Sequence, residues 1–142
     1  MRIARAIVRQ QRSRVHDKFG SGQFGASRDG GARLHQGLDI VTTPREILFS
    51  PIDGEIVREA FPYPKDPSMR GLVIKGTGDW MGYLVKIFYA EGLLCGEVKA
   101  GQQIAFAQDL STKYPGITNH IHVEVTQNRK HVGPNEMFAQ CF

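Results

Sequence analysis

The chain has 142 residues, 41% hydrophobic and 23% charged, the make-up of one globular domain long enough to bury a core. Two cysteines, Cys95 and Cys141, are too few for a disulfide framework, and no run approaches the roughly 18 apolar residues of a membrane-spanning helix. The net charge of +4 gathers at Arg2, Arg5, Arg9, Arg12 and Arg14, a basic start that argues only weakly for an anionic partner such as a cell-wall polymer, nucleic acid or lipid surface.

Residues 1–18 set Ile3, Ala6 and Ile7 among arginines and glutamines, the pattern of a basic arm or one or two turns of amphipathic helix. The run Ala6-Ile7-Val8 is far too short for the apolar stretch of a signal peptide. The main domain is expected over residues 19–142. It opens on a glycine-rich loop, residues 20–25, and a turn at Arg28-Asp29-Gly30-Gly31. No Gly-Lys-Ser/Thr follows, so this is no phosphate-binding loop. Residues 35–41 lead into a strand that Thr42-Thr43-Pro44 breaks. Further strands are predicted over residues 47–51, 55–59, 72–75, 83–89 and 103–106, the most strongly patterned being 83–89. Residues 61–67 hold three prolines and read as a surface loop. Turns fall at Ile52-Asp53-Gly54, at residues 76–79 and at residues 98–101. Tyr114-Pro115-Gly116 feeds a last strand, residues 119–125, that carries His120. Short strands at regular spacing, with turns between them, predict a mainly β fold, a sandwich or barrel-like sheet.

In that last strand His120 and His122 stand two residues apart and so point to one face, while Ile121, Val123 and Val125 point to the other. Two imidazoles over one small volume suit a metal site or a catalytic pair. His35 and Asp39 form a second cluster at the entry to an earlier strand. A His and a carboxylate from one element and a His from the other supply three zinc ligands and leave a fourth place for water. Two neutral imidazoles and one carboxylate leave such a site at net +1, the charge that brings the pKa of bound water down to about 7.

His35-Gln36-Gly37-Leu38-Asp39-Ile40, followed by Ser50-Pro51-Ile52-Asp53-Gly54-Glu55-Ile56-Val57, resembles the His-x-Gly-x-Asp-Ile … Ala-Pro-x-x-Gly-x-Val run of the lysostaphin-like (M23) zinc metallopeptidases. Val98-Lys99-Ala100-Gly101-Gln102-Gln103-Ile104 is similar to their Val-x-x-Gly-x-x-Ile turn, and His120-Ile121-His122-Val123-Glu124-Val125 to their His-Leu-His-Phe-Glu-Val. Ser21-Gly22-Gln23-Phe24-Gly25 resembles the Ser-Gly-Phe-Gly ahead of the first ligand, with one residue inserted. The resemblance runs from about residue 20 to 138. It implies a compact antiparallel sheet domain with an open groove and one zinc ion held by His35, Asp39 and His122. His120 is then the general base beside the metal water. It further implies hydrolysis of peptide bonds in bacterial peptidoglycan, a target outside the cytoplasm reached by a route the sequence does not display, with no nucleic-acid partner.

The family usually places a second catalytic His after a Tyr-Ala dipeptide. Here the run is Tyr89-Ala90-Glu91, so the second catalytic position falls to Glu91, a carboxylate that donates to an oxyanion only when protonated. Val85-Lys86-Ile87-Phe88-Tyr89 and Lys113-Tyr114-Pro115-Gly116-Ile117 resemble the leukocyte cell-derived chemotaxin branch of the same fold. That branch binds zinc without the post-Tyr histidine, which implies a non-catalytic zinc module acting through protein or glycan binding as the alternative. Of the remaining residues, His16 and His131 read as surface groups, Trp80 and Tyr83 as packing and Cys95 as a buried small hydrophobe. Glu124 reads as a residue that either orients a metal ligand or faces solvent, and Tyr114 as either structural or substrate-contacting.

Overall fold

The computed structural model describes residues 4–11, 27–28, 33–34 and 37–133. His16, His35, Cys141 and the glycine-rich loop 20–25 therefore lie outside the described residues. Among the described residues the elements are twelve strands and one 3-10 turn, Gly78–Trp80, with no α-helix. The strands are β1 (Ser27–Arg28), β2 (Arg33–Leu34), β3 (Leu38–Val41), β4 (Ile47–Phe49), β5 (Gly54–Ala60), β6 (Gly71–Gly76), β7 (Tyr83–Phe88), β8 (Ala90–Gly92), β9 (Gly96–Val98), β10 (Gln103–Ala107), β11 (His120–Gln127) and β12 (Lys130–Val132).

The main sheet runs β12-β11-β7-β6-β5-β9, and a three-stranded sheet runs β4-β10-β8. All these pairings are antiparallel. One edge of β11 pairs with β7. Its other edge is shared, with β3 along the first half and β12 along the second. Period-two alternation explains the layering. Leu38, Ile40, Ile74, Val85, Ile87, Ile121, Val123 and Val125 are fully buried and join Leu48, Ile104, Ala105 and Ala107 of the smaller sheet in one hydrophobic cluster. The alternation slips in β5, where a bulge between Ile56 and Arg58 leaves Val57, Arg58 and Glu59 exposed in succession.

The N-terminal segment departs from the expected arm or helix. Residues 4–11 are non-helical, and two backbone bonds dock them on the domain, Arg5 N–H to the Pro51 carbonyl and Phe49 N–H to the Ile7 carbonyl, both 2.8 Å. Ala4, Ile7 and Val8 enter the core. Burying a side chain like Ile7 is worth about 1.5–3 kcal/mol, which outweighs the solvation of arginines that stay at the surface in any case.

Besides the two-residue β1 and β2, three short strands were not legible. β8 and β9 have three residues each, too few to display alternation. β12 closes a hairpin whose central residues, Asn128 and Arg129, both adopt positive φ (51° and 72°). An Asn-Gly pair would have announced such a turn; an arginine at the second place hides it.

Candidate metal and catalytic site

Strand register assembles the site. In the β3–β11 ladder Asp39 lies directly opposite His122, and Val41 opposite His120. Cross-strand neighbours on one face touch, and Asp39 reaches both imidazoles. Its Oδ1 is 2.9 Å from His122 Nδ1, and its Oδ2 is 3.5 Å from His120 Nε2. Glycine at position 37 makes the approach possible. A Cβ there would fall on the Val123 carbonyl and within 2.7–2.8 Å of the His122 ring.

His120 is buried, and its Nδ1 lies 2.8 Å from the Thr118 carbonyl. A carbonyl only accepts, so Nδ1 carries the proton and Nε2 is left to exchange one on the Asp39 side. The Tyr89 ring packs edge-on against the His120 ring, with centroids 5.5 Å apart. His122 is fixed from three directions. Asp39 takes Nδ1, the Glu124 carboxylate lies 3.2 Å from Nε2, and Phe88, opposite it on β7, stacks on the ring at 5.9 Å. Burial lowers the His122 pKa, but the hydrogen bonds to Asp39 and Glu124 outweigh it and leave the group above its ordinary value. Burial raises Glu124, and the bond from His122 together with the charges of Lys86 and His131 brings it below the ordinary carboxylate value. Glu124 thus holds a ligand-type histidine rather than facing open solvent, and the exposed His131 stands 3.9 Å from its other oxygen.

Among the described residues no group of three His, Cys, Asp or Glu side chains is placed to hold a metal. Two of the three expected zinc ligands, Asp39 and His122, do converge. Two donors on a tetrahedral zinc, each about 2.0–2.1 Å from it, stand about 3.3 Å apart. The 2.9 Å between Asp39 Oδ1 and His122 Nδ1 is a few tenths of an ångström short of that, a gap two side-chain torsions can open. The donor chemistry, imidazole and carboxylate with a carboxylate behind the imidazole, suits zinc.

Glu91 belongs to β8 of the smaller sheet. Its carboxylate pairs with the Arg45 guanidinium at 2.9 Å, and Arg45 in turn sits 4.9 Å above the Phe106 ring, cross-strand from Glu91. The structure thus brings together Asp39, His120, His122 and Glu124, and engages Glu91 with Arg45 on the smaller sheet.

A feature not read from the sequence borders His120. The hydroxyl of Tyr63 bonds those of Tyr89 (2.8 Å) and Tyr114 (2.6 Å). These three residues come from separate loops, and nothing in their spacing predicts the meeting. Trp80 is buried, with its ring edge-on to Tyr83 at 5.1 Å, a packing pair. Cys95 is exposed rather than buried. The reason is local: it sits between β8 and β9, beside exposed Leu93 and outside the alternation that fills the core.

The layered antiparallel sheets and the Asp-His-His face define a domain of the lysostaphin-like metallopeptidase fold. The antimicrobial peptidase lysostaphin from Staphylococcus simulans superposes with a TM-score of 0.62 at 18% identity, over 94% of this chain and 56% of that one. A zinc-containing peptidase from Vibrio cholerae gives 0.58 at 23% identity, over 92% of this chain and 39% of that one. The chain therefore spans between two fifths and somewhat over half of these peptidases. No family model matches the sequence. Leukocyte cell-derived chemotaxin-2 of Mus musculus is 33% identical over 113 residues, covering 78% of this chain and 71% of that protein. The chain belongs to the leukocyte cell-derived chemotaxin-2 family.

Proposed function

We propose that this domain is a zinc-dependent endopeptidase acting on peptide bonds of bacterial peptidoglycan, with Asp39, His122 and His35 as the metal ligands and His120 as general base. The observation that carries the reading is the Asp39 carboxylate set between His122 Nδ1 and His120 Nε2 on one face of β11. Zinc bound there supplies Lewis acidity, polarising an amide carbonyl and making water acidic enough to ionise near neutrality. The chain's own residues do the rest. Glu124 holds His122 through Nε2, so that Nδ1 faces the metal position. Thr118 fixes the His120 tautomer, so that Nε2 takes a proton from water and returns it to the leaving amine. The likeness to the solved peptidases supports the fold on which this chemistry would run. The substrate lies in the bacterial wall, outside the cytoplasm, and no helix among the described residues is long and apolar enough to cross a membrane.

A second reading, a zinc module that binds without turnover, is favoured by one observation: Glu91, in the place of the second histidine, is engaged by Arg45. Membership of the chemotaxin-2 family points the same way. Digestion of purified sacculi by the zinc-loaded protein, with released muropeptides read by mass spectrometry, separates the two. Defined fragments from the wild type but not from His120→Ala support the peptidase. Intact sacculi, with fragments appearing only on Glu91→His, support the binding module.

A further inference from the structure

Alternation along β7 buries Val85 and Ile87 and turns Leu84, Lys86 and Phe88 to the opposite face. That face carries the site, because Phe88 lies across from His122 and stacks on its ring. Register then repeats the face in three rows: His122 with Phe88, Glu124 with Lys86, and Thr126 with Leu84. Solvent reaches it, since Leu84 is exposed and Lys86 and Phe88 are partly so.

The middle row sets opposite charges across from each other, yet they do not pair. The Glu124 carboxylate turns to His122 at 3.2 Å and to His131 at 3.9 Å. The Lys86 ammonium instead leans along its own strand and lies 5.5 Å from the centre of the Phe88 ring. Arg45, Arg70, Lys99 and Lys113 each stand within 3.8 Å of a carboxylate, and Lys113 clasps two loops together through Asp66. Lys86 has no such partner among the described residues. A ring face attracts a cation without accepting a full hydrogen bond from it, so the ammonium keeps its donors for an oxygen ligand.

The lean along β7 also carries the charge from its own row to that of His122. The Phe88 ring bridges the two, 5.9 Å from the imidazole on one side and 5.5 Å from the ammonium on the other. The cation therefore stands within the reach of about three extended residues of the His122 ring. A peptide backbone is uncharged along its length, so a cation beside its path selects for a charge on a side chain or at a chain end. Asp39 and Glu124 occupy the same face and repel a dianion or polyanion, which leaves a singly charged carboxylate as the fitting group.

We propose that Lys86 is a specificity-determining anion subsite that takes a free carboxylate of a bound peptide, carried within about three residues of the group at the metal position. This deepens the peptidase reading and rests on it for the identity of the ligand.

The test is calorimetric titration of the zinc-saturated protein at low ionic strength with two capped pentapeptides, acetyl-Gly-Gly-Glu-Gly-Gly-amide and its glutamine counterpart. The proteins are wild type, Lys86→Met, Lys86→Arg and the control Lys75→Met, which removes an exposed charge from the neighbouring strand. Sacculus digestion runs beside the titrations, and zinc content is verified in each variant. The caps leave the glutamate as the peptide's only charge. One charge-assisted hydrogen bond predicts that wild type binds the glutamate peptide about tenfold more tightly than the glutamine one. The preference should vanish in Lys86→Met and persist in Lys86→Arg and Lys75→Met. Equal binding of the two peptides by wild type, or binding of neither, overturns the subsite. A preference that survives in Lys86→Met also overturns it and assigns the carboxylate to the zinc. A Lys86-dependent preference with intact sacculi removes the peptidase reading and leaves the subsite standing. Digestion of sacculi by a wild type that does not distinguish the peptides does the reverse.

Discussion

Glu124→Ala isolates the support of His122 from the metal contact itself. Glu124 accepts from His122 Nε2 at 3.2 Å, and only 15% of each side chain is exposed, so solvent cannot replace the lost acceptor well. A hydrogen bond to a charged group contributes about 1.5–3 kcal/mol, and removing a carboxylate behind a metal-bound histidine costs about 10–100-fold in metal affinity. The two ranges agree, since tenfold is about 1.4 kcal/mol. Glu124→Ala is therefore expected to weaken zinc binding by about 10–100-fold, and Glu124→Gln, which keeps an oxygen acceptor, by about tenfold or less. Competition against a chromophoric chelator at fixed pH measures both. Unchanged affinity in Glu124→Ala, with Asp39→Ala abolishing binding, would refute the assignment of His122 Nδ1 as the metal-facing atom.

Gly37→Ala places a methyl against the Val123 carbonyl and the His122 ring. It is expected to cost about 1–3 kcal/mol in urea unfolding and to weaken zinc binding as the ring shifts. Ile121→Ala, on the opposite face of the same strand and fully buried, is expected to cost about 2–5 kcal/mol. Its effect on zinc per folded molecule should be small, because its side chain points away from the site. Asp66 is held below its ordinary carboxylate value, first by the Ser68 hydroxyl and then by Lys113. A depressed carboxylate contributes stability above its unfolded pKa and loses it as pH falls through the folded one. The loop clasp should therefore hold at neutral pH and release only in acid below the ordinary carboxylate range, with hydrogen exchange of Ser68 and Met69 amides as the readout. Lys113→Met should move that release toward higher pH.

The sheet was legible where its strands alternate, most clearly in β7 and β11. The strand expected over residues 47–51 forms over Ile47–Phe49, two residues shorter, and the strand expected over residues 119–125 forms as His120–Gln127. The pair of histidines on one face follows from the same period-two rule. Its partnership with Asp39 depends on register between strands some 80 positions apart (His122 and Asp39 are separated by 83), which only the family resemblance supplied. Tyr63, Tyr89 and Tyr114 lay beyond reach for a related reason. They meet through three loops, and loop closure leaves no period in the sequence. The arginine-rich start misled because Ala4, Ile7 and Val8 have the spacing of one face of a helix, yet they enter the core from a non-helical backbone. Glu91 was read as a substitute for a catalytic histidine. The sequence holds no sign of Arg45, 46 positions earlier, reaching it.

The most direct test of the account is the zinc-to-protein ratio after native purification, measured by elemental analysis for wild type, Asp39→Ala, His122→Ala and His120→Ala. The account predicts about one zinc for wild type and for His120→Ala, and close to none for the other two. A wild-type ratio near zero, or loss of zinc in His120→Ala with retention in His122→Ala, would contradict it.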